Sequence, residues 1–141
     1  MRGLPGSGKS TWIRENLNYG ILCVCSADDF HMVDSVYRYD PKNIGAAHGA
    51  CLRKFTEVLI YGKKVDNLVV DNTNATAIEI APYARLCEAF GIEFEIIHLN
   101  CSFETAYIRN THQVPPQTIL AMLGNLTTEK LPWKFTVKFQ R

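Results

Sequence analysis

Gly3-Leu4-Pro5-Gly6-Ser7-Gly8-Lys9-Ser10-Thr11 carries the spacing G-x-x-x-x-G-K-[ST] of a phosphate-binding loop, or P-loop. Each residue type in it has a chemical reason. Gly3, Gly6 and Gly8 open backbone conformations closed to residues with a Cβ, so the loop's N–H groups can turn inward as an anion nest. The helix expected from about Gly8 to Leu17 points its positive dipole end at the same place. Lys9 can reach the β- and γ-phosphates of a nucleotide, and the Ser10 hydroxyl can ligate Mg²⁺. Gly3, Pro5, Gly6, Ser7, Gly8, Lys9, Ser10 and Thr11 are therefore the expected triphosphate-binding residues, with Ser10 also a metal ligand. The competing reading is a glycine-rich turn that matches by coincidence.

A P-loop follows a buried strand, but only Met1 and Arg2 precede Gly3. The expectation is that the natural chain begins upstream with a short apolar strand, so that the first strand is truncated here. The tail segment Trp133–Phe139 alternates apolar and polar residues, and Lys134 and Lys138 suit a half-exposed edge strand rather than a central one.

The composition suits one compact domain: 141 residues, 47% hydrophobic. Fifteen basic residues against 14 acidic ones leave no basic excess of the kind that marks tight, non-specific nucleic-acid binding. A short nucleic-acid end remains open as a substrate. Five cysteines, Cys23, Cys25, Cys51, Cys87 and Cys101, form no zinc spacing, and their odd count argues for a reducing compartment. With no signal peptide and no apolar run near 18 residues, the expected location is cytoplasmic, without membrane association.

Along the chain, Ile21–Ser26 reads as a strand buried on both faces, as in a parallel sheet. Asp28 and Asp29 follow it, and Phe30–Tyr39 reads as a loop. Asp40-Pro41 looks like a helix start, with Gly62 as that helix's stop. Leu68-Val69-Val70 is a second buried strand ending in Asp71. Thr76–Glu79 has capping-box form and opens a helix to Phe90, stopped by Gly91, with a kink or a detached first turn expected at Pro82. Ile92–Leu99 is the next strand, Ser102 caps a helix over 103–110, and Pro115-Pro116 starts one through Leu123 that ends at Gly124. Alternating strands and helices after an early P-loop imply an α/β fold: a P-loop NTPase kinase-like three-layer sandwich with a mainly parallel sheet.

Ligands of open α/β sheets bind at the carboxyl ends of the strands, where Asp28 and Asp71 fall. Asp28 could take the proton of an acceptor hydroxyl, or could simply cap its loop; Asp29 beside it is the weaker candidate for base. Asp71 has the form of a Walker B acid and is the second candidate Mg²⁺ ligand, or a strand-end cap. Arg109, just before the break at Thr111–Pro116, suits a lid spanning 109–116 that brings a cation over a transferring phosphoryl group; the alternative is a surface arginine at a helix end. His31 and Arg38 could meet an acceptor phosphate or be solvated, and Asn72 and Asn74 could bond acceptor or backbone. His112 is a less certain participant, and His48 reads as packed.

The ordered set GLPGSGKST, SADDF, VVDNTN, EIAPY and IRN-THQVP resembles the P-loop kinase family that contains phage polynucleotide 5′-hydroxyl kinase. Within it, the wording is similar to the kinase-like ATP-binding domains of NEDD4-binding-protein type, over about residues 3–126. The resemblance implies ATP and Mg²⁺ as cofactors and phosphoryl transfer to a hydroxyl, with a nucleic-acid 5′ end as the favoured partner. By motif position it places the general base on Asp28, the loop's catalytic lysine on Lys9 and the lid arginine on Arg109. The chain departs from the phage kinase at His31, where that enzyme has an arginine for the acceptor phosphate, and in its short lid without a second arginine. Two other outcomes stay open: a nucleotide-binding or ATPase module that transfers nothing, and a kinase of a small metabolite or nucleotide-sugar.

Overall fold

A computed structural model describes residues 1–61 and 64–139. The chain divides into two compact units, one made of Met1–Asn16 with Thr73–Arg141, the other of Leu17–Asn72.

The first unit holds the P-loop. Its helix α1 spans Lys9–Asn16. Helix α3 spans Ala77–Ala89, and the Thr76 capping box is formed, with the Thr76 N–H donating to Glu79 Oε2 at 2.8 Å. Ile80, Ala84 and Cys87, at i, i+4 and i+7, are its buried face. The expected kink or detached turn at Pro82 gives way to one continuous helix. Proline removes the bond to the carbonyl of Ile78, and Ile78 lies on the open surface, 83% exposed, where water can take that carbonyl. Strand β5 is shorter than expected, Ile96–Asn100, and is the most deeply buried strand. Helix α4 spans Phe103–Ile108, capped by the Ser102 side chain. Helix α5 spans Pro116–Thr128 and runs through Gly124 instead of ending there, since Leu126 beyond it is drawn into the core. A core of Leu4, Ala75, Ala106, Ile119 and Leu126 lies under the loop.

Strand β6, Phe135–Phe139, pairs parallel with β5 as a strand at the tail, but it is exposed at every position where a half-exposed edge strand was expected. Arg2 also pairs with β5, by a single parallel bridge to His98. The Arg2 N–H donates to Ile97 O and the Leu99 N–H donates to Arg2 O, both at 2.8 Å. The residue just ahead of the P-loop is thus bridged to the sheet, and it is charged.

The second unit contains β1 (Leu22–Cys25) and β4 (Asn67–Val70), paired parallel from Leu22↔Asn67 to Cys25↔Val70. The expected burial of β1 on both faces is confined to its end: Cys25 is buried, while Leu22 is exposed. Helix α2, Ile44–Tyr61, packs on this pair through Ala47, Cys51 and Phe55, spaced four residues apart on one stripe. Asp40 caps a short 3₁₀ turn, Pro41–Asn43, that leads into it. Gly62, expected as its stop, lies outside the described residues. The stretch from Phe30 to Tyr39, read as a loop, contains structure. A 3₁₀ helix covers Ala27–His31, and a tight hairpin joins β2 (Met32–Val33) to β3 (Val36–Tyr37). Its two central residues, Asp34 and Ser35, have φ of 50° and 62°, the left-handed pair a two-residue hairpin needs. All five cysteines are free thiols.

Candidate functional site

In the P-loop, Gly3 and Gly6 both have positive φ and no room for a side chain. A Cβ on Gly3 would lie 2.6 Å from Leu99 O, and one on Gly6 would lie 2.5 Å from Ala106 O and 3.1 Å from the Arg109 Cβ. The loop is therefore clamped between the end of β5 and the last turn of α4. That contact brings Arg109, exposed at the C-cap of α4, beside the loop. Lys9 Nζ arches back over the loop, donating to Gly3 O at 3.2 Å and Leu4 O at 3.0 Å. Ser7 is fully buried, and its Oγ has no hydrogen-bond partner among the described residues. Ser10 and Thr11 lie in the first turn of α1, the positive end of that helix's dipole.

Beyond Arg109 the chain turns tightly. The Asn110 side chain donates to Val114 O at 2.8 Å and accepts from the Val114 N–H at 3.1 Å, closing 110–114 into a compact turn in which Gln113 has φ 54°. His112 is exposed on it.

In the second unit, the carboxyl ends of β1 and β4 bring Asp28 and Asp71 onto neighbouring strand ends. Ser26 joins them: its hydroxyl donates to Asp71 O at 3.0 Å and accepts from the Asp28 N–H at 3.2 Å. The Asp71 N–H donates to Cys25 O at 2.9 Å, and Asp71 Oδ1 is shielded from solvent.

The adjacent Asp28 and Asp29 are held in different chemistry. Asp28 Oδ1 accepts from the Tyr37 hydroxyl at 3.0 Å. Burial first, and then the charge of Asp28 and the bond to it, push the Tyr37 phenol well above its ordinary range. Asp29 instead pairs with Lys54 from α2 at 3.0 Å, and Lys54 Nζ also donates to Val24 O at 2.6 Å. Burial lowers the Lys54 ammonium's pKa, but its bond to Asp29 and that residue's charge outweigh the burial, so the net shift is upward. One carboxylate has a neutral donor and its neighbour a cation.

The remaining candidates sit in the following local settings. His31 is only 5% exposed and stands edge-on to the rings of Phe30, Tyr37 and Tyr39, so it packs the hairpin and does not offer a surface cation. Arg38 is exposed, and its N–H closes onto His31 O. Asn72 Oδ1 accepts from the Ala27 N–H at 2.8 Å, and Asn74 Nδ2 donates to Met1 O at 2.7 Å. Both asparagines are buried and committed to neighbouring chain. His48 is half-buried on α2.

Sequence reasoning passed over four residues. Ser26, Tyr37 and Lys54 organise the carboxylates, and Asn110 closes the turn after Arg109. A serine directly after a buried strand was a legible capping signal. Nothing local marks the other three.

A glycine loop locked on a strand end, a lysine arched over it, a helix opening behind it and acids at parallel strand ends define a nucleotide-binding α/β domain of the P-loop kinase-like class. The chain belongs to the family described as an AAA domain, which matches residues 1–122. It is 32% identical over 130 residues to NEDD4-binding protein 2 of Homo sapiens, a match covering 87% of this chain and 7% of that protein. The chain thus spans a small fraction of the length of this relative. Among the described residues, no helix is long and apolar enough to cross a membrane.

Proposed function

We propose that the domain is an ATP- and Mg²⁺-dependent phosphotransferase that moves the γ-phosphoryl group to an acceptor hydroxyl, a polynucleotide 5′-hydroxyl being the favoured acceptor. The carrying observation is the unequal treatment of the paired acids. Asp28 is exposed and its Oδ1 accepts from the neutral Tyr37 hydroxyl, whereas Asp29 is paired with the Lys54 ammonium. A base near an anionic acceptor and a triphosphate must accept a proton, and an aspartate tied to an ammonium is the poorer acceptor of the two.

In this reading Gly3, Pro5, Gly6, Ser7, Gly8, Lys9, Ser10 and Thr11 cradle the triphosphate. The arched Lys9 moves from its own loop carbonyls to the phosphates, and Arg109 stabilises the charge of the transferring group. Ser10 and Asp71 would be the Mg²⁺ ligands, a hydroxyl and a carboxylate being the hard oxygen donors that ion takes. Bound there, Mg²⁺ supplies charge neutralisation on the phosphates. Asp28 removes the acceptor proton as that oxygen bonds to phosphorus and ADP departs. The resemblance to the polynucleotide kinase family supports the choice of acceptor.

The test is γ-labelled ATP with 5′-hydroxyl oligonucleotides and a panel of small hydroxyl compounds. Label on the oligonucleotide is expected. Label only on a small compound would move the acceptor to that class, and ATP turnover that no acceptor stimulates would assign a nucleotide-binding or ATPase module.

A further inference from the structure

The hairpin Met32–Tyr37 has no part in the chemistry so far, yet it ends on the candidate base. Its length is two residues per strand, and two consecutive left-handed residues, Asp34 and Ser35, fix its register as Met32↔Tyr37 and Val33↔Val36. That register sets Tyr37 back toward the 3₁₀ helix carrying Asp28. The Tyr37 ring stands 5.8 Å from the buried His31 ring, edge-on, and Tyr39 flanks the same imidazole at 5.2 Å. The Arg38 N–H bonds to His31 O at 2.8 Å, tying the hairpin's exit to the helix it came from. The phenol is thus held by a closed local frame, and its hydroxyl meets Asp28 Oδ1 at 3.0 Å.

Resting on the phosphotransferase reading, we infer that Tyr37 is a positioning residue: its hydroxyl fixes the orientation of the Asp28 carboxylate for proton abstraction from the acceptor. The phenol keeps its proton throughout. The acceptor's proton goes to Asp28 as the acceptor oxygen bonds to the γ-phosphorus and the bridging oxygen leaves with ADP, and Asp28 then releases it to solvent. The raised phenol pKa agrees with a group that remains a donor across the working pH range. Titratable or charged groups of this frame include Asp29, Lys54, His31, Tyr39 and, on the hairpin itself, Asp34 and Arg38, and Lys54 bonds Asp29 and Val24 O.

The experiment is a double-mutant cycle on the full chain, using Tyr37→Phe, Asp28→Ala and the pair, with labelled ATP and a 5′-hydroxyl oligonucleotide. Phenylalanine keeps the ring against His31 and removes only the hydroxyl. Tyr37→Phe is expected to lower kcat about tenfold, a change of about 1.4 kcal/mol, while KM for ATP and the thermal midpoint stay put. In the Asp28→Ala background, where there is no carboxylate to orient, the same change is expected to cost nothing further. An unchanged kcat in Tyr37→Phe, or an equal loss in both backgrounds, overturns the positioning role and leaves Asp28 as base. Full transfer by Asp28→Ala, or no transfer by the unmodified chain, overturns the phosphotransferase reading and the Tyr37 role with it.

Discussion

In the loop Gly3–Thr11, the groups proposed to meet the triphosphate are mainly backbone amides, and what holds them is the absence of side chains: two glycines pressed against Leu99 O and Ala106 O. Past the end of β1 they are two carboxylates, Asp28 and Asp29, each held by a side chain from another element, Tyr37 from a hairpin and Lys54 from a helix. A site built from backbone fails when atoms are added to it. A site built from side chains fails when atoms are removed, and its fold survives. The two regions should therefore break in opposite ways.

The largest effects test this directly. Asp28→Ala should cut phosphoryl transfer by about 10²–10⁴-fold and leave ATP binding and the melting temperature unchanged. Gly6→Ala should do the reverse, because a Cβ there meets Ala106 O at 2.5 Å with φ at +77°. ATP affinity should fall at least about tenfold, together with stability, since a strained left-handed residue costs roughly 1–3 kcal/mol. Calorimetric titration with ATP and thermal melts on both variants read the contrast. Wild-type ATP binding by Gly6→Ala would mean that the loop can open away from α4, and the contrast would collapse.

Arg2 extends the comparison, being a side chain that props up the backbone region. It is 1% exposed and donates to Asn74 O, Ala75 O and Leu126 O, with His98 Nδ1 at 3.0 Å. Burial opposes its charge, and the carboxylates of Glu129 and Glu79 offset part of that cost. Arg2→Met would leave three carbonyls around the vacated guanidinium. At roughly 1–3 kcal/mol for each group left unsatisfied, less what water recovers, a loss of about 2–4 kcal/mol is expected in denaturant unfolding. A neutral result would show the carbonyls to be hydrated without the arginine.

These cases also show what the chain made legible. The loop could be read because a nest demands glycines at fixed offsets, and the capping box at Thr76, the cap at Asp40 and the strand at the tail follow equally local rules. Arg2 could not be read, because its partners lie 72 to 124 residues away. The hairpin was missed because Asp34-Ser35 carries no glycine to signal its turn. His31 looked like a surface cation until Tyr37 and Tyr39 folded over it. Gly124 looked like a stop, but Leu126 holds the helix beyond it.

Acid should loosen the backbone region through His98. Burial first, and then the charge of Arg2, push its pKa down to about 4 from 6.5. Between those values the unfolded chain binds a proton that the folded chain does not, so unfolding takes up a proton and falling pH favours it. This contribution is whole above pH 6.5, erodes as pH falls to about 4, and amounts to about 3 kcal/mol at most. Urea unfolding at stepped pH should show that slope in the wild type and lose it in His98→Gln. An equal slope in both would place the acid sensitivity elsewhere.

The smallest effect belongs to the ion pair that sets Asp29 apart from Asp28. Lys54 and Asp29 are 46% and 59% exposed, so solvent screens them and the pair contributes under about 1 kcal/mol. Lys54→Met keeps the aliphatic stem against β1 and removes the charge together with the bond to Val24 O. Stability should move by about that amount, and transfer by less than about twofold, because the proposed base, Asp28, is bonded to Tyr37, while Lys54 bonds Asp29. The informative variant is Lys54→Met combined with Asp28→Ala. If freeing Asp29 from its cation restores transfer to a chain lacking Asp28, the adjacent acids are interchangeable bases and the ion pair is what chooses between them. If transfer stays lost, the choice is made by position on the 3₁₀ helix, and Lys54 only holds α2 against the strand.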